Sequence, residues 1–118
     1  MRLLISMKVT GKRLYRALLK SGKCRDVLDK LSNEFRAFLS FFTGENCRAM
    51  TAYELEQLPL VYEFELGKFF RRCDELRFSG GFIDTEDVFP VLADLRSFLE
   101  ALEKEEKGKI RLKREKAA

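Results

Sequence analysis

Histidine is absent from the 118 residues, and so is tryptophan. Without histidine the chain lacks the side chain that most often serves as general acid or base near neutral pH. It also cannot build the Glu-x-x-His pairs by which helical bundles hold a carboxylate-bridged metal, nor a Cys/His zinc site. Without tryptophan the aromatic set reduces to eleven Phe and three Tyr. Rings with few polar handles suit packing between helices better than recognition of sugars or quaternary amines.

Cysteine is scarce as well. Cys24, Cys47 and Cys73 are an odd number, far apart and with no C-x-x-C pair, which excludes a disulfide framework and a thiolate zinc centre. Reduced thiols and a cytoplasmic location are expected. Cys24 is the one candidate for a redox thiol, because the cations around it in sequence would lower its pKa. Cys73 falls on an apolar stripe and reads as a buried, inert thiol.

Long hydrophobic runs are missing: the opening Met1-Arg2-Leu3-Leu4-Ile5-Ser6-Met7 is too short for a signal-peptide core or a bilayer span, so a soluble chain is expected. No stretch alternates with period two and Asn-Gly is absent, so strands are not expected. Gly80-Gly81 follows a helical pattern and no Lys-Ser/Thr pair comes after it, which argues against a phosphate-binding loop. The acid pairs Glu54/Glu56, Glu63/Glu65, Asp74/Glu75 and Asp84/Glu86/Asp87 fall on predicted solvated faces or helix starts. No catalytic residue, cofactor or metal is therefore assigned, and an enzyme is not expected.

What the chain does contain is helical periodicity. Leu14, Tyr15, Leu18 and Leu19 predict a short helix over residues 11–21, ended by Ser21-Gly22, with residues 1–10 ambiguous between an extended arm and a frayed helix start. Val27, Leu28, Leu31, Phe35, Phe38, Leu39 and Phe42 predict a long helix stopped by Thr43-Gly44, with Ser32 and Arg36 on its polar side and Phe41 either widening the buried face or contacting a second neighbour. Thr51-Ala52-Tyr53-Glu54 reads as a capping box opening a helix of one or two turns. Pro59 starts another long helix carrying Tyr62, Leu66, Phe69, Phe70, Cys73 and Leu76, which stops at Ser79-Gly80-Gly81. Asp84 to Asp87 cap the last one, with Ile83 stapled to Val88, Pro90 in the first turn of regular helix, and Val88, Val91, Leu92, Leu95, Phe98, Leu99 and Leu102 as its stripe. Together these predict an all-α fold: a compact bundle of three long and about two short helices in a single domain over residues 11–106, followed by a basic, mobile tail over 107–118.

Charge is unevenly spread. Residues 1–25 hold eight Lys/Arg and no acid, residues 26–106 nine against eighteen acids, and residues 107–118 six against one. Two basic ends flank an acidic body. Such ends suit proximity to an anionic membrane surface on its cytosolic side, or, as the alternative reading, a small helical nucleic-acid-binding protein using residues 8–25 and 107–116.

Three stretches in succession resemble one family. They are Arg36-Ala37-Phe38-Leu39-Ser40-Phe41-Phe42-Thr43-Gly44, then Thr51-Ala52-Tyr53-Glu54-Leu55, then Asp74-Glu75-Leu76-Arg77-Phe78-Ser79-Gly80. Their order and spacing resemble the cytosolic helical region of Bat-type membrane proteins of the bacterial aerotolerance operon, over roughly residues 12–104. The resemblance implies a non-catalytic protein-interaction domain of an envelope-stress or assembly system. It further implies a MoxR-type AAA+ ATPase or von Willebrand factor A-type protein as partner, and a place at the inner face of the membrane where the full-length protein carries an anchor. The polar faces around Arg71, Arg72 and Arg77 are the candidate partner-binding surface.

Overall fold

The computed structural model describes the backbone of residues 2–117 and the side chains of residues 3–105. Within that range the chain is all-α: α1 (Arg2–Ser21), α2 (Cys24–Thr43), a 3-10 turn (Cys47–Ala49), α3 (Ala52–Glu56), α4 (Pro59–Glu63), α5 (Gly67–Arg77) and α6 (Thr85–Ala117). The bundle has four longer helices where three were expected. The differences lie at the start of the chain and at the middle of a predicted helix.

Residues 2–10 are the first turns of α1, which settles the ambiguous arm as helix. Leu4, Met7, Gly11, Leu14 and Leu18 share one face at spacings of three and four, and the four side chains among them are buried. Burial of Leu4 and Met7 against the rest of the core is what holds the first turns. Tyr15 and Leu19, assigned to the apolar stripe, lie beyond its edge, 46% and 60% exposed.

The helix α2 follows its stripe, and Gly44 closes it in the left-handed conformation (φ 77°), donating its N–H to Ser40 O at 3.0 Å. Two side-chain expectations fail. Phe41 is 78% exposed, whereas Ser32 and Arg36, read as solvated, are buried. The polar pair is tolerated inside because Arg36 finds acceptors: Nε donates to Ser32 Oγ at 3.1 Å, and Nη1 to the carbonyls of Cys47 and Met50. A buried donor that is satisfied costs little.

The helix expected from Pro59 onward is broken. Glu65 takes a left-handed φ of 55°, Leu66 N–H reaches back to Val61 O at 2.9 Å, and α5 restarts at Gly67. A Cβ at Gly67 would come within 2.9 Å of Glu56 Cγ, so glycine lets α3 and the start of α5 meet. The break rotates Tyr62 to the outside, 81% exposed, and keeps Leu66, Phe69, Phe70 and Cys73 inside.

Thr51 forms the expected capping box with Glu54. At α6 the cap is Asp84: its Oδ1 accepts from Glu86 N–H while Asp87 Oδ2 accepts from Asp84 N–H, both at 3.3 Å. Regular helix thus starts at Thr85 and not near Asp87, which places Pro90 in the second turn. The carbonyl of Glu86 thereby loses its i+4 donor. The backbone of α6 continues as helix to Ala117, where a tail was expected from residue 107; the side chains from residue 106 onward lie outside the described residues.

One core joins all of these elements. Phe35 of α2 is its hub, with ring centroids 5.1 to 6.0 Å from those of Phe38, Phe69, Phe70 and Phe98. Against this core α1 packs on α2 and α6. Lys8 meets Glu103, Gly11 faces Leu95, and Tyr15 meets Phe89, so α1 and α6 run antiparallel.

Candidate functional site

The groups able to do chemistry are apart from one another. Among the described residues no cluster of Cys, Asp and Glu is arranged to hold a metal ion. All three cysteines are free and buried. Cys24 does not have the environment expected of a redox thiol. It sits at the start of α2 against the acidic start of α6, so burial first, and then the charges of Asp84 and Asp87, raise its pKa. Burial, aided by Asp74, pushes the Cys73 thiol up to about 12. A protonated, enclosed thiol is a poor nucleophile. Cys47 lies 3.6 Å from the Thr43 hydroxyl.

The acid pairs have structural partners or face solvent. Glu54 and Asp87 serve as caps, Glu63, Glu65, Glu75 and Glu86 are exposed, and Asp74 pairs with Arg77 at 3.4 Å.

The three arginines of the expected partner surface each lie beside a carboxylate of the same molecule. Arg77 is a strut between α5 and α2: Nε donates to Asp29 Oδ1 at 2.8 Å and Nη1 to Ser32 Oγ at 3.2 Å. Its guanidinium also lies 5.0 Å from the centre of the Phe78 ring. Arg71 Nε is 2.7 Å from Glu56 Oε1. That oxygen lies off the N–H direction and makes no hydrogen bond, so the contact is ionic, while the N–H points to Gly67 O at 3.4 Å. Arg72 is 3.8 Å from Asp94 of α6, with both side chains more than half exposed. These arginines tie α5 to α2, α3 and α6 and do not converge on one surface.

Cations without a carboxylate partner among the described residues lie elsewhere, and four of them follow one another along α1. Lys12, Arg13, Arg16 and Lys20 are exposed on α1, a helix without a single acid, and no carboxylate among the described residues pairs with any of them. Beside them, between α1 and α6, lies a groove of about 530 Å³. Its floor is Gly11, Leu92, Leu95 and Leu99, and Lys8, Lys12 and Arg16 line the α1 side. On the α6 side Arg96 pairs with Glu100 at 3.1 Å, and at one end the rings of Tyr15 and Phe89 close at 5.4 Å. Sequence reading marked the basic N-terminal segment but not the groove, because that needs the antiparallel pairing of helices separated by most of the chain. Its available signal was the spacing of Lys8, Lys12 and Arg16, one turn apart on a helix longer than expected.

A second exposed feature is the connection from α5 to α6. Phe78 is 73% and Phe82 94% exposed, on either side of Gly80 with φ 73°. Arg25 donates to Gly81 O at 2.7 Å and ties the connection to the start of α2.

No family model, curated protein or solved structure matches this chain. The three stretches 36–44, 51–55 and 74–80 correspond here to the end of α2, the cap of α3 and the end of α5.

Proposed function

We propose that the chain is a non-catalytic helical interaction module that binds an acidic surface of a protein partner through α1. The observation that carries this is the division of the cations: Arg71, Arg72 and Arg77 have carboxylates at 2.7 to 3.8 Å within the molecule, whereas Lys12, Arg13, Arg16 and Lys20 have none among the described residues. An exposed one-sign face steers an oppositely charged partner and raises its association rate. The scattered acids and enclosed thiols support binding over catalysis.

Among the described residues no helix is long and apolar enough to cross a membrane. In this reading the module works in the cytoplasm, or at the inner membrane face where an anchor is present. A MoxR-type ATPase and von Willebrand factor A-type proteins are the first partners to test.

The test is binding of those purified partners to the chain and to Lys12→Glu/Arg16→Glu, with folding checked by circular dichroism. At least a tenfold loss in the α1 variant is expected; equal binding overturns the role of α1. The same cations favour one second reading, nucleic-acid binding. Retention of duplex DNA or RNA that falls steeply with salt, in the absence of protein binding, would put that reading first.

A further inference from the structure

We propose that the groove between α1 and α6 is the seat of an acidic amphipathic helix from a protein partner. The inference deepens the binding-module reading and rests on it. Three observations lead there.

The first is shape. From Lys8 to Arg16 the α1 wall covers about 12 Å at the rise of an α-helix, which matches about two turns of a helix lying alongside. Two antiparallel helices with a shared trough offer the geometry in which a third helix inserts side chains spaced three and four residues apart. A drug-sized ligand would instead need most of its surface enclosed, and this groove is only partly enclosed.

The second is the floor. Gly11 has no side chain to fill the trough, and Ala93 on the opposite wall is small and exposed. Above the buried leucines there is thus room for apolar side chains of an occupant, with Tyr15 and Phe89 as an aromatic stop at one end.

The third is charge. The α6 wall is electrically balanced by the Arg96–Glu100 pair, and Lys8 is matched by Glu103. Lys12 and Arg16 are left over, one turn apart, on the rim. An occupant with Leu-like residues toward the floor and Glu or Asp toward this rim satisfies both requirements, whereas a basic helix would set like charges against each other. A flat bilayer surface reaches the rim cations but not the recessed floor.

The experiment uses the full chain labelled with 15N and two synthetic 15-residue peptides. One carries Leu at positions four, eight, eleven and fifteen with Glu and Ala elsewhere; the other replaces every Glu by Lys. Titration with the acidic peptide is expected to shift the amide signals of Gly11, Leu92 and Ala93 saturably. Affinity should fall tenfold or more in Ala93→Trp, which fills the trough from an exposed position, and in Lys12→Glu/Arg16→Glu. It should hold within about twofold in Lys30→Glu/Lys68→Glu, which changes charge equally on α2 and α5, away from the groove. Equal binding of the basic peptide, absence of saturable shifts, or equal loss in the Lys30/Lys68 variant overturns the proposal. So does binding to phosphatidylglycerol vesicles that depends on Lys12 and Arg16 and is indifferent to Ala93→Trp, with no peptide bound. If the groove proposal fails while a purified partner is still lost by Lys12→Glu/Arg16→Glu, the binding-module reading stands without the groove.

Discussion

Arg36 has no carboxylate partner among the described residues, yet it is buried against the Phe70 ring, 5.6 Å from its centre. Its guanidinium ties α2 to the carbonyls of Cys47 and Met50, the two ends of the 3-10 turn that leads into α3. Arg36→Met should therefore leave the Met50 carbonyl without a donor, while Cys47 O keeps the Met50 N–H, and cost about 1 to 3 kcal/mol in urea unfolding. Arg36→Lys should recover only part of this, since an ammonium cannot reproduce the planar fork. The thiols give a prediction in pH. A Cys73 pKa raised from 9.0 to about 12 means that the unfolded chain loses this proton first. The contribution is thus intact below pH 9 and drains away as pH rises toward 12. Cys73→Val should flatten that alkaline decline, read as the pH dependence of the urea midpoint, with the wild-type thiols unreactive to Ellman's reagent until the protein unfolds.

Helix boundaries divide into those written in local chemistry and those imposed by neighbours. Thr51-x-x-Glu54, Gly44 and Asp84 act within a few residues of themselves, and each was legible; Thr51→Ala should cost about 1 kcal/mol. The break at Glu65 was not legible, because the apolar spacing runs on through it. The break accompanies the approach of Gly67 to Glu56, a contact between α5 and α3 that local spacing does not show. Pro90 was misplaced for a related reason: a proline argues for the first turn, but Asp84 and Asp87 cap each other and start α6 earlier. Burial of Val88, Val91 and Leu92 holds the proline inside the helix despite the lost hydrogen bond. Pro90→Ala should accordingly stabilise the fold, by on the order of 1 kcal/mol, seen as a raised urea midpoint.

For the molecule as a whole, the start of the chain is a wall of the core. Removing residues 1–10 takes away Leu4 and Met7, and the truncated chain should unfold at clearly lower urea concentration. Leu4→Ala alone should cost about 2 kcal/mol or more, measured the same way. The charge division between basic ends and acidic body was plain in the sequence, and so was the all-α class. The groove was hidden, since antiparallel α1 and α6 bring residues 8–16 beside residues 89–100 only after folding.

The link from α5 to α6 has a practical outcome. Its two bare phenylalanines flank a glycine turn with few ties to the body, the kind of loop tip that fits a protease cleft. Brief digestion with chymotrypsin should nick the chain after Phe78 or Phe82 before anywhere else in the described helices. The two pieces should then elute together in gel filtration, because the cut spares the phenylalanine hub, and separate only in denaturant. Such a nicked pair would turn one polypeptide into a two-part system whose halves can be labelled independently.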